Sequence, residues 1–162
     1  MAKKWSVVRS LLAVDIGVRT GLVLYGYDGR LLWYRSQNFG TAARLRRAVR
    51  ALLHELPDLA WLVLEGGGPL ATIWEREAER RGIPVRRISA EDWRRQLLYP
   101  RQQRGRRQAK RSAADLARRV IAWSDAPRPT TLRHDAAEAI LIGLWGVLDV
   151  GWLEALPAEV RK

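Results

Sequence analysis

Apolar positions along the chain fall into two periodicities. Short runs rich in branched and aromatic residues read as five strands: Val7 to Val14, Thr20 to Tyr27, Arg30 to Arg35, Leu59 to Leu64 and Ile83 to Ile88. Asp28-Gly29, between the second and third, suits a two-residue type I′ hairpin, which makes those strands antiparallel. After Thr41, a capping residue, Leu45, Ala48, Val49, Leu52, Leu53 and Leu56 recur at helical spacing, and Pro57 ends the pattern. Leu70 to Arg81 predicts a second, highly charged helix stopped by Gly82, and Ser89 begins a short third through Trp93 to Leu97. Tyr99 to Arg107 reads as a basic loop rich in Gln and Gly. The next helix turns Ala109, Ala113, Leu116, Val120 and Trp123 toward the core. Ser124 to Thr131, with Pro127 and Pro129, reads as a loop, and a last long helix runs from near Arg133 to about Leu148.

The resulting order, a hairpin followed by alternating units, predicts an α/β domain with a five-stranded mixed sheet and helices on both faces. Four carboxylates stand where this arrangement converges. Asp15 ends the run Leu11-Leu12-Ala13-Val14 and precedes Gly17; Glu65 ends Trp61-Leu62-Val63-Leu64 and precedes Gly66-Gly67-Gly68. Asp135 and Glu138 open the last helix at spacing i, i+3, so they share one face. If the first and fourth strands are neighbours, Asp15 and Glu65 meet, and the last helix brings the other two acids over the same edge. Element order and acid placement together define a ribonuclease H-like architecture.

Each acid also has an ordinary explanation. An Asp after a strand is commonly a turn residue, and acids in a first helical turn offset the helix dipole. It is their joint placement that points to chemistry. Acids at the ends of buried strands cost desolvation energy, which a bound cation offsets. Two divalent ions about 3.5–4 Å apart can clamp a phosphodiester, and magnesium accepts hard oxygen ligands of this kind. The expectation is a metal-dependent phosphodiesterase using two Mg2+ ions, with Mn2+ as the other candidate. Asp15 is the ligand expected to serve both ions, with Glu65, Asp135 and Glu138 completing the set. His134 is placed to orient a ligand or to help transfer a proton.

Charge defines the substrate class. The chain carries a net charge of +12, and 15 basic residues against 5 acidic ones between Arg76 and Arg119 account for ten of it. Tyr99 to Arg111 holds six basic residues and no acid, the footprint of a polyanion partner. An arginine bias from genome composition or thermal adaptation also fits, since 25 of the 29 basic residues are arginine. Within the basic stretch, Arg101, Arg104, Arg106, Arg107, Lys110 and Arg111 are expected on backbone phosphates, and Trp74 and Tyr99 on unpaired bases. Trp93 is expected in the core, Trp5, Trp33, Trp61, Trp123, Trp145 and Trp152 in structural positions, and His54 on the surface. At 162 residues the chain suits a single domain. Without cysteine, signal peptide or membrane-length apolar run, it is expected in the cytoplasm and away from membranes.

Several segments together resemble the RuvC-type Holliday-junction resolvases, especially the phage and chloroplast branch. They are Leu12-Ala13-Val14-Asp15-Ile16-Gly17 with Thr20-Gly21, Val63-Leu64-Glu65, Gly82-Ile83-Pro84-Val85 with Ser89 and Trp93, and His134-Asp135-Ala136-Ala137-Glu138-Ala139. In order and spacing the resemblance spans nearly the whole chain. It implies a magnesium-dependent endonuclease that resolves four-way DNA junctions as a homodimer, leaving a 5′-phosphate and a 3′-hydroxyl. It also implies that the closing helix supplies two metal ligands, and that a lysine near the start of the preceding helix approaches the scissile phosphate. Lys110, in Gln108-Ala109-Lys110-Arg111-Ser112, is the only lysine between Lys4 and Lys162. Glu138 stands where many bacterial members carry Asp, whereas the phage and chloroplast relatives carry Glu there as this chain does. The helix after Gly68, which in the family contributes to dimerisation and junction opening, is unusually charged here, so exact dimer contacts and wedge residues do not transfer.

Other readings keep part of this pattern. The same site suits other branched or RNA–DNA hybrid substrates, and a junction-binding protein without cleavage suits the basic stretch. Asp15-Ile16-Gly17 with Thr20-Gly21 also resembles the phosphate-binding turn of sugar kinases and actin-like ATPases. Those enzymes need two lobes, and 162 residues are too few.

Overall fold

The computed structural model describes residues 9–161. Five strands, β1 (Ser10–Asp15), β2 (Arg19–Gly26), β3 (Leu31–Asn38), β4 (Leu59–Glu65) and β5 (Val85–Ile88), form one sheet in the order β3-β2-β1-β4-β5. β1–β2 and β2–β3 are antiparallel, whereas β1–β4 and β4–β5 are parallel. The expected mixed sheet is therefore present, with the first and fourth strands adjacent. The start of the strand predicted from Val7, and Trp5, lie outside the described residues.

The alternation of side chains builds two apolar layers. Leu12, Val14, Leu22, Leu24, Leu62 and Leu64 face α1 (Ala42–Glu55) and α2 (Gly68–Arg80), which contribute Leu45, Val49, Leu53, Trp74 and Ala78. Leu11, Ala13, Val23, Tyr25 and Val63 face the other way, toward α3 (Ala90–Leu97), α4 (Gly105–Ser124) and α5 (His134–Asp149); Val160 of the short α6 (Ala158–Arg161) joins this core. No helix among the described residues is long and apolar enough to cross a membrane.

Three local expectations are corrected. The β2–β3 hairpin turns through Tyr27, Asp28 and Gly29, closed by Gly29 N–H to the Gly26 carbonyl at 2.9 Å. Only Gly29 has positive φ (79°), whereas a type I′ turn requires it at both central positions. The basic stretch after Tyr99 is not a loop: Pro100–Gln103 forms a 3-10 turn and α4 begins at Gly105. Its glutamines build that turn, Gln102 accepting the Tyr99 N–H at 2.7 Å and Gln103 donating to the carbonyls of Arg94 and Leu98. Trp74, expected on unpaired bases, is 1% exposed beneath α1 and the sheet, so its indole has no face to offer a ligand.

Helix α5 packs closely on the sheet because its contact positions are small. A Cβ on Gly143 would strike the Tyr25 ring, and one on Gly146 would meet Val63 and Leu11 at 3.0 and 3.2 Å. Tyr25, fully buried, donates its hydroxyl to the Ile140 carbonyl at 2.5 Å, pinning β2 to the helix backbone. At the N-terminal end, Gly21 of β2 lies against the Asp135 carbonyl, and a Cβ there would overlap it. Backbone atoms yield little, so Gly21→Ala is expected to destabilise the fold by about 1–3 kcal/mol, the usual cost of overpacking, read as a lower urea midpoint. An unchanged midpoint would mean that this approach is not tight.

Candidate metal and nucleic-acid site

One row of residues crosses the whole sheet at the C-terminal ends of β1 and β4. Register pairs Ser36 with Gly21, Gly21 with Asp15, Asp15 with Glu65, and Glu65 with Ile88. Because side chains alternate, Asp15 and Glu65 share the face of Ala13 and Val63, the face covered by α5. Gly21 offers no side chain, so the first turn of α5 settles over the row. Glu138 then comes down onto Asp15. One carboxylate oxygen from each of Asp15, Glu65 and Glu138 lies within 4.8 Å of the other two.

Asp135 stands outside that group. Its carboxylate accepts a hydrogen bond from the Ser36 hydroxyl at 2.5 Å, so β3, an edge strand, holds the first turn of α5. Its charge nevertheless acts on Asp15. Glu138 is 7% exposed and is held from two sides on the same oxygen: His134 Nε2 lies 2.9 Å and Arg94 of α3 lies 3.2 Å from Oε1. Neither Ser36 nor Arg94 stands out in the sequence. The face of Ser36 follows from strand alternation, but its partner depends on register, and Arg94 is one arginine among 25.

The electrostatics of the cluster call for a cation. Burial foremost, then the hydrogen bond with Glu65 and the charges of Glu138, Glu65 and Asp135, push the Asp15 carboxyl from 3.8 to about 9. Hard oxygen donors gathered this closely suit a divalent ion, which would offset both the repulsion and the lost hydration.

The phosphate-binding candidates cluster elsewhere on the α5 side. Arg101, Arg104, Arg106, Arg107 and Arg111 line an open groove of about 480 Å³ where the 3-10 turn meets the start of α4. Tyr99 is exposed beside it, with the Arg101 guanidinium 5.3 Å from the ring centre. Lys110 is exposed on the same end of α4. Trp93 is fully buried, and His54 is exposed near the end of α1.

No family model matches the chain, and no curated protein sequence pairs with it. Solved structures do. Thermus thermophilus (T. thermophilus) RuvC in complex with Holliday junction substrate superposes with a TM-score of 0.61 at 17% identity, covering 88% of this chain and 96% of that one. The yeast mitochondrial Holliday junction resolvase Ydc2 gives a TM-score of 0.55 at 12% identity, covering 85% and 78%. The chain therefore has the RuvC-type, ribonuclease H-like fold.

The raised Asp15 carboxyl makes stability depend on pH. Between about 4 and about 9 the folded protein holds a proton on Asp15 that the unfolded chain has released, so this group's contribution falls as pH rises. In chelator, the melting temperature is expected to fall across that window. Magnesium should restore it most at the alkaline end, and Asp15→Asn should flatten both responses in calorimetry. An Asp15→Asn protein with the same slope would place the cost on other groups.

Proposed function

We propose that this protein is a structure-selective endodeoxyribonuclease that resolves four-way DNA junctions by metal-assisted phosphodiester hydrolysis. The reading is carried by the meeting of the register row with α5, which brings one carboxylate oxygen each of Asp15, Glu65 and Glu138 within 4.8 Å of one another on a RuvC-type fold. In this reading Asp15, Glu65, Glu138 and Asp135 would hold two Mg2+ ions. A bound pair of such ions supplies the Lewis acidity that phosphodiester hydrolysis needs.

The remaining work falls to the protein's own groups. His134 and Arg94 hold the Glu138 carboxylate in one orientation, and Ser36 does the same for Asp135. Lys110 approaches the scissile phosphate as a compact point charge. Arg101, Arg104, Arg106, Arg107 and Arg111 hold backbone phosphates, giving affinity without sequence reading, and Tyr99 offers an exposed ring for stacking. Water attacks phosphorus in line and the P–O3′ bond breaks, leaving a 5′-phosphate and a 3′-hydroxyl. A homodimer would present two such sites to the two-fold symmetry of a junction.

The test is cleavage of a synthetic four-way junction, a matched linear duplex and an RNA–DNA hybrid, with magnesium and with chelator. Symmetric, magnesium-dependent cuts confined to the junction are expected. Glu65→Gln should retain junction binding and lose cutting by more than the roughly 10–100-fold that Arg94→Ala, which removes only an outer partner, is expected to cost. Preference for the hybrid would reassign the substrate, and binding without any cut would leave a junction-binding protein.

A further inference from the structure

On the sheet face opposite α4, a second basic groove of about 480 Å³ runs between α1 and α2. Arg46 and Arg50 of α1 and Arg76 and Arg80 of α2 line it, with Ile73 among the apolar lining. Each pair is one helical turn apart, about 6 Å along the axis, so the cations repeat along the groove. Arg81 closes the wall by bonding Glu77 at 2.9 Å and the Arg50 carbonyl at 3.2 Å.

This groove is electrostatically unbalanced. Glu77 is its one acid, and it is already engaged by Arg80 and Arg81. Among the described residues, Arg46, Arg50 and Arg76 have no carboxylate partner. Helix α1 also carries Arg44 and Arg47 near its N-terminus, with no acid in its first turn, against the helix dipole. Cations gathered at such cost, in an open trough, suit an extended polyanion. A second copy of the chain suits it poorly, because a two-fold interface would bring the same positive groove against itself.

Helix α2 begins at Gly68, three residues beyond Glu65, so the groove leads away from the acid cluster along one face while the α4 groove lies on the other. We propose that the α1–α2 groove binds the phosphate backbone of an arm of a branched nucleic acid, an arm other than the one held at α4. The inference rests on the nuclease reading above and assigns to this groove the selection of branched over linear substrate.

The test compares binding of a four-way junction and a linear duplex, in chelator, across a salt series. Each phosphate contact contributes about 0.9 to the slope of log affinity against log salt. Arg46→Gln with Arg50→Gln is expected to lower the junction slope by about 1.8 and leave the duplex slope unchanged. Arg46→Lys with Arg50→Lys should retain the slope, and Arg118→Gln, on an exposed part of α4, should change neither. All three positions are exposed, and matched melting temperatures would show that the variants fold.

Unchanged junction binding in the double variant overturns the proposal. An equal loss on both substrates overturns the arm assignment, and a changed sedimentation mass with unchanged affinity would give the groove to a second copy. Cutting, measured separately in magnesium, keeps the two readings apart. A wild type that binds the junction and never cuts sinks the nuclease and spares the groove. Normal cutting with unaltered binding in the double variant does the reverse.

Discussion

The first turn of helix α5 meets the sheet backbone to backbone at Gly21, and the site depends on that closeness. Gly21, Gly143 and Gly146 remove the side chains that would otherwise hold the two layers apart, and Tyr25 reaches across to the Ile140 carbonyl. Close packing of this kind is stiff, since any added atom meets a wall rather than a void. The first turn of α5 is thereby lowered onto the row formed by Ser36, Gly21, Asp15 and Glu65. A helix raised by one methyl layer would carry Glu138 away from Asp15, and the carboxylate group would disperse without any change in the acids themselves.

The same closeness sets an electrostatic problem that the apolar core sustains. Leu11, Ala13, Val63, Ala137 and Ile140, all nearly or wholly excluded from water, fix the backbones that carry the acids. Asp15 consequently sits where its charge is poorly hydrated and faces like charges. Arg94 and His134 relieve Glu138 alone. The pocket is thus locally negative in a chain of net charge +12. A polyanion drawn to the arginine-rich surface would be repelled at the acids unless cations stood between them. Under the proposed function, metal and substrate therefore bind interdependently, and the two arginine grooves on opposite faces of the sheet hold nucleic acid while the acids act on it.

Much of the architecture was legible in the chain. Apolar runs identified the strands, helical spacing identified the faces of α1 and α4, and four acids stood out, Asp15 and Glu65 closing apolar runs and Asp135 and Glu138 opening an apolar helix. Errors arose where local chemistry admits several solutions. Asp28-Gly29 fits more than one tight turn. The arginines and glutamines after Tyr99 resemble a solvated loop until Gln102 and Gln103 find their backbone partners. Trp74 neighbours charged residues in sequence but belongs to the buried stripe of α2, with Ala71 and Ala78.

Periodicity along one segment determines which side chains share a face, because it follows from the geometry of a single strand or helix. It carries no information on which residue of another segment lies opposite. That depends on hydrogen-bond register and on how near two layers come, and both are decided by the whole set of packed side chains. The acids, the basic stretch and the element order were therefore determined by the sequence itself. The meeting of Ser36 with Asp135 and of Arg94 with Glu138, and the gathering of arginines between α1 and α2, were decided only when distant segments were packed together.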